Sequence, residues 1–243
     1  MPGKVTLDFI DAVAVLTIEN NGRLNAMDDA VAAGLAAGVA AAKSRAGVGA
    51  LVLRGAGRDA FCAGVDLKFA AEFGDRGAAF AKVGAHLDAF LADMETLPFP
   101  SVALVHGVCY GGGVHLAVTC DFRFAATSLR MVVPAVKNGL LYPIPALERL
   151  MRLVGPARTR RLVLEGVLLP PETLLAWGLV DELRPPDALD AATLDFAARL
   201  AAQPRSVMPS YMKILRAVEA GDSDGAKRLR DEARRATGRP DQG

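Results

Sequence analysis

A chain of 243 residues, 52% of them hydrophobic, can bury a sizeable core and reads as one large or two small globular domains. Its formal net charge of +1 gives no sign of nucleic-acid or membrane-surface attraction. Cys62, Cys109 and Cys120 have no CxxC spacing, which argues against a disulfide framework or a metal site and points to a reducing compartment.

The N-terminus shows no basic-then-apolar leader, and no apolar run reaches the roughly 18 residues of a membrane span. A cytoplasmic protein is the expectation. Two β-rich runs, 5–9 and 13–18, joined at Asp11-Ala12, predict a hairpin. Asn20-Asn21-Gly22 breaks the pattern, and Asp28 or Asp29 then caps an alanine-rich helix over 30–43. Its small residues on every face allow close approach to a sheet. A strand over 50–54, a helix over 78–94, a strand over 101–106, a short helix through Thr119 and a strand over 122–125 follow. Strands alternating with helices imply an α/β architecture with parallel pairings. From Pro143 the pattern reads as helices only, over 145–154, 156–165, 171–177, 188–203 and 209–219, each bounded by proline or glycine. The Arg158, Arg160, Arg161 cluster reads as a solvated face, and the charged tail after Ala220 as frayed.

Two glycine-bearing turns carry the functional signal. Phe61-Cys62-Ala63-Gly64-Val65-Asp66-Leu67 and Gly107-Val108-Cys109-Tyr110-Gly111-Gly112-Gly113 each follow an apolar strand and precede a helix. Glycine lets such turns approach a ligand and aim backbone N–H groups outward. Two N–H groups converging on one point would hold the charge that develops on a carbonyl oxygen. A dinucleotide or phosphate turn fails on spacing, since neither Gly-x-Gly-x-x-Gly nor Gly-Lys-Ser/Thr is present. Cys62 and Cys109 sit inside these turns and read as small packing residues rather than nucleophiles.

Together with Asn25-Ala26-Met27, Cys120-Asp121, the run from Leu153 to Arg158 and the run from Ala176 to Asp181, these turns resemble the crotonase (enoyl-CoA hydratase/isomerase) superfamily. The resemblance covers about residues 5–206. It implies a spiral core of β-β-α turns over residues 1–142, a helical C-terminal region over 143–243 that is not an independent domain, and a homotrimer or dimer of trimers. It also implies an acyl-CoA substrate, with coenzyme A as part of that substrate and no separate cofactor or metal. By position, Val65 and Gly112 would donate their N–H groups to the thioester oxygen. Asn25, Ala63, Gly64, Asp66, Leu67, Tyr110, Gly111 and Ala135 would line the substrate and CoA site, and Arg23, just before Asn25, would meet the nucleotide or its phosphates. Asp66 would also cap the helix that follows.

The same resemblance exposes a departure. Hydratases of the family carry one glutamate just after the second glycine turn and another behind a proline further on. Those positions are His115 and, after Pro134, Ala135. Each acid–base role in a hydration contributes about 10²–10⁴ in rate, and alanine can fill neither. The remaining candidates are His115 and Tyr142, the latter placed as in related decarboxylases. His86 and His106 are weaker, and His106 reads as structural. The preferred function is thioester-enolate chemistry by decarboxylation or isomerisation. A thioesterase and a non-catalytic acyl-CoA-binding protein are the alternatives. The chain also ends without the final amphipathic helix expected for the family.

Overall fold

The computed structural model describes residues 2–237. The hairpin forms as the sequence predicts: β1 (Lys4–Ile10) pairs antiparallel with β2 (Val13–Glu19) around Asp11 and Ala12. Next comes α1 (Asp29–Ser44). Of the two possible caps it uses Asp28, whose Oδ1 accepts from Val31 N at 2.9 Å while Oδ2 accepts from Gly3 N at 2.7 Å.

From here the chain winds in repeating units, each giving one strand to a large sheet and one to a small sheet. The first unit is β3 (Ala50–Gly55), β4 (Ala60–Cys62), α2 (Leu67–Glu72) and α3 (Arg76–Met94). The second is β5 (Ser101–Val105), β6 (Val108–Tyr110) and α4 (Gly112–Thr119). The third is β7 (Phe122–Ala126), β8 (Arg130–Val132), a 3-10 turn (Val136–Asn138) and α5 (Ile144–Arg160). The large sheet runs β1-β2-β3-β5-β7 and is parallel from β2 onward, while the small sheet runs β4-β6-β8 and is parallel throughout.

Apolar residues lie on both faces of the large sheet. Leu16, Leu51, Leu53, Ala103 and Val105 face the main core with α1, whereas Val15, Val52, Val102 and Leu104 face a second layer. That second layer is α7 (Pro186–Ala201), which lays Leu189, Ala197 and Ala201 on the sheet. Burial on both faces explains why these strands read as continuous apolar runs rather than alternating ones.

The C-terminal part departs from the expected helices-only pattern. After a π-helical turn (Arg161–Glu165) and α6 (Pro171–Trp177), β9 (Glu182–Arg184) adds a sixth strand beside β7. Residues 145–165 form two helical stretches, as read: α5 is broken at Gly155, whose φ 78° and ψ 166° are non-helical, and its second stretch continues into the π turn. The tail is likewise more ordered than its charge implied. It forms α8 (Met208–Glu219) and then α9 (Ser223–Thr237), an amphipathic final helix that the sequence reading had placed as absent; the last six residues lie outside the described part. Arg216 of α8 donates to Leu97 O at 2.6 Å and Met94 O at 3.2 Å, which secures this region against the end of α3.

The arginine cluster is exposed, as read, and Arg158 and Arg161 lie over the Trp177 ring at 5.3 and 5.9 Å. All three cysteines are buried free thiols, and burial pushes Cys62 and Cys120 up to about 12, as packing residues require. No helix among the described residues is long and apolar enough to cross a membrane.

Candidate active site

Pairing of β4 with β6 brings the two glycine turns side by side, because each turn leaves the end of one of these neighbouring strands. Gly64 takes φ +93°, and a Cβ there would stand 2.9 Å from Tyr110 O and 3.2 Å from Gly112 N. Only glycine fits this contact.

Val65 is held by an unexpected partner, Met27. Met27 N donates to Gly64 O at 2.7 Å, and Asp66 N donates to Met27 O at 2.8 Å. In a parallel bridge these are the groups on either side of Val65, so the Val65 N–H itself faces away from Met27. It has no hydrogen-bond partner among the described residues. In the second turn, Gly111 adopts φ +49° and ψ −108°, with its N–H donated to Val132 O at 2.9 Å. Gly112 opens α4, so its N–H is one of the orphan donors of a helix start and is also without a partner. A Cβ on Gly112 would lie 3.6 Å from Val65 N, so the two donor residues stand side by side. The positive end of the α4 dipole adds to the attraction for negative charge at this point.

Both donors open into a cavity of about 550 Å³. Ala63, Gly64, Leu67 and Gly111 line it beside them; Phe80, Val83, Gly84 and Leu87 of α3 form one wall, and Ala135, Leu140 and Tyr142 form another. Among the described residues no aspartate, glutamate, lysine or arginine lines the cavity; its titratable side chains are His115 and Tyr142. The α3 wall was not foreseen. Its signal was present, since positions 80, 83, 84 and 87 recur at the spacing of one helix face.

His115 is 5% exposed, and its Nε2 has no hydrogen-bond partner among the described residues. Burial, and secondarily the charge of Arg149, lower it from 6.5 to about 4, so the imidazole is neutral at physiological pH. The Tyr142 hydroxyl donates to Gly111 O at 2.8 Å, and its ring lies 6.5 Å from that of His115. Burial raises the phenol well above its usual range, so it stays protonated.

The other expected binding residues do not gather here. Asn25 is buried and tied down, accepting from Asn20 N and donating to Ala56 O and Ala60 O, so its amide holds a loop. Tyr110 lies outside the lining of the cavity. Asp66 caps α2 through Lys68 N and Phe69 N, as read, and accepts from Arg23 Nη1 at 2.9 Å. Arg23 lines a separate groove of about 450 Å³ with Asp28, Asp29, Asp66 and Glu72, so its charge already has carboxylate neighbours. His86 sits 3.5 Å from Asp29 and outside the cavity. His106 Nε2 meets Asp190 Oδ2 at 3.1 Å beneath α7, a structural position.

Comparison with known proteins agrees with this architecture. The family model described as enoyl-CoA hydratase/isomerase matches residues 8–235. The chain is 34% identical over 161 residues to the fatty acid oxidation complex subunit alpha of Aliivibrio fischeri, spanning 65% of this chain but only 23% of that one. It is 34% identical over 177 residues to the enoyl-CoA isomerase/hydratase fer4 of Mycosarcoma maydis, covering 72% of this chain and 61% of the relative. The chain therefore spans between about a quarter and three fifths of the length of these relatives. Among solved structures, the enoyl-CoA hydratase of Bacillus anthracis superposes with a TM-score of 0.89 at 23% identity, covering 96% of this chain and 90% of that one. An enoyl-CoA hydratase/carnithine racemase of Magnetospirillum magneticum does so with a TM-score of 0.83 at 28% identity, covering 93% and 87%. The family match extends over both glycine turns and the helices that follow them, and this chain belongs to the enoyl-CoA hydratase/isomerase family.

Proposed function

We propose that this protein binds an acyl-CoA thioester with its carbonyl oxygen between Val65 N–H and Gly112 N–H, and forms an enolate there by decarboxylating a carboxylated acyl group. The observation that carries this reading is the composition of the cavity: among the described residues, two unpaired N–H donors in an apolar chamber with no carboxylate and no cation. Among the described residues lining the cavity, no carboxylate stands ready to take a proton from a thioester α-carbon. His115, lowered to about 4, is a weak base.

Decarboxylation needs no such base. The bond from the α-carbon to the carboxylate breaks, CO₂ leaves, and the electron pair moves through the α-carbon onto the thioester oxygen. The negative charge passes from a carboxylate without a cation partner to an oxygen facing two N–H donors. Losing one such donor typically costs about 10²–10³ in rate, so stabilisation of this order per donor is available. Protonation of the α-carbon completes the reaction. An anion in the cavity raises the His115 pKa, which lets the imidazole take a proton from solvent and pass it on. His115 and Ala135 standing where the resemblance places the hydratase glutamates argue against hydration as the main activity. A second reading, isomerisation of a 3-enoyl thioester, is favoured by the unpartnered Nε2 of His115, which could carry a proton between carbons.

A panel of crotonyl-, 3-enoyl-, malonyl- and methylmalonyl-CoA tests these readings. Release of CO₂ from a malonyl-type thioester is the expected result. Rapid hydration of crotonyl-CoA would overturn it, and turnover of the 3-enoyl thioester alone would select the isomerase. Release of free CoA would indicate a thioesterase, and tight binding without turnover a binding protein.

A further inference from the structure

We propose that Tyr142 is a positioning residue whose hydroxyl clamps and polarises the Gly111–Gly112 peptide, the unit that carries one of the two oxyanion donors. This rests on the reading of Val65 and Gly112 as thioester donors. The carbonyl of Gly111 and the N–H of Gly112 belong to one planar trans peptide and point in opposite directions. Whatever fixes Gly111 O therefore fixes the aim of Gly112 N–H.

Two donors fix it: Tyr142 Oη at 2.8 Å and His115 N at 3.2 Å. The hold is needed because Gly111, at φ +49° and ψ −108°, occupies backbone space open only to glycine and has no side-chain cap to restrain it. The peptide plane would otherwise be free to rotate.

A hydrogen bond to a peptide oxygen also strengthens that peptide's own N–H as a donor, since bonds in a chain polarise one another. Tyr142 thus acts on both the direction and the strength of the Gly112 donor. A phenol has one proton, and here it is directed to Gly111 O. That separates this role from delivery of a proton to the substrate. Tyr142 precedes α5, so the clamp links the helical region to the turn at the centre of the site.

The test is the carbonyl stretch of bound butyryl-CoA labelled with ¹³C at the thioester carbon, measured by difference infrared spectroscopy. The saturated chain offers no double bond and no carboxylate to react. In the wild-type protein the band shifts to lower frequency than in free butyryl-CoA. In Tyr142→Phe, which keeps the ring, the expected result is loss of about half of that shift, about tenfold lower kcat with little change in KM, and a pH profile of unchanged shape. A Tyr142→Phe protein with the full wild-type shift overturns the clamp alone. A wild-type protein with no shift overturns the oxyanion reading and the clamp with it. Should the phenylalanine variant fail to fold, 3-fluorotyrosine at position 142, a stronger donor of nearly the same shape, is expected to enlarge the shift. No change there would overturn the proposal.

Discussion

His115 is held neutral in the folded chain at about 4, while in the unfolded chain it titrates near 6.5. Between these values the unfolded state binds a proton that the folded state refuses, so stability falls as pH falls through that window and is unaffected above it. The full effect at the acid end is roughly 3 kcal/mol. His115→Gln is expected to remove this part of the acid sensitivity, which denaturant midpoints at about pH 4.5 and pH 7.5 would show. The same variant should lower turnover about tenfold or more, at the low end of acid–base effects. Gly112 is a residue of a different kind. A methyl group added there would stand 3.6 Å from Val65 N, in the space proposed for the thioester oxygen, and its nearest neighbour is the far end of the unbranched Met27 side chain, Cε at 2.5 Å. Gly112→Ala is therefore expected to fold with a nearly unchanged Tm and to lose about 10²–10³ in turnover. The residues that make the turns were legible because glycine marks them, and Asp66 as a cap was legible from its place before a helix. Asn25 was not, because nothing local tells an amide that holds a loop from one that meets a ligand. Met27 was missed for the same reason: its role is played by its backbone.

Among the elements, α3 walls the cavity proposed for the acyl group and so sets its room. Gly84 lies on its cavity-lining face, and a Cβ there would meet nothing within 4 Å. Gly84→Leu should fill the chamber without a clash, raising KM for long acyl thioesters far more than for short ones. A helix-interior glycine costs about 1 kcal/mol relative to a good helix former, so the variant should also gain stability of that order. A steady-state series over acyl length, with thermal unfolding beside it, checks both effects. Elements with strong periodicity or punctuation were readable: the hairpin, α1, and the parallel strands buried on both faces. β9 escaped because Glu182-Leu183-Arg184 is too short and too polar to alternate, and it becomes a strand only by pairing with β7. α9 escaped because charge dominates its sequence and, among its described residues, only Gly225 and Ala226 are buried, so its polar face read as a solvated tail.

Across the whole molecule, the site and the scaffold are separable. Asp190 on α7 receives His106 Nε2 at 3.1 Å and lies 3.5 Å from Arg54 Nη1, on the face of the large sheet away from the cavity. Asp190→Ala would leave the buried His106 ring without its partner, costing roughly 1–3 kcal/mol. The expected outcome is a lower Tm with unchanged kcat at temperatures where the variant is folded. A parallel loss of kcat would show that α7 reaches the site after all. The juxtaposition of the two turns was the least legible feature, since it depends on β4 meeting β6 across more than forty intervening residues. No local pattern encodes that pairing; the resemblance supplied it.

That construction has a consequence for how such a molecule can change over generations. Both groups proposed to grip the carbonyl are main-chain atoms, and no codon specifies an N–H. At position 65 any residue except proline brings the same donor. The neighbours that would act on the gripped molecule, by contrast, are ordinary side chains, each one nucleotide change away from another chemistry. A lineage built on this plan can exchange its reaction while inheriting its grip intact, so its members should share what they hold far more faithfully than what they make of it.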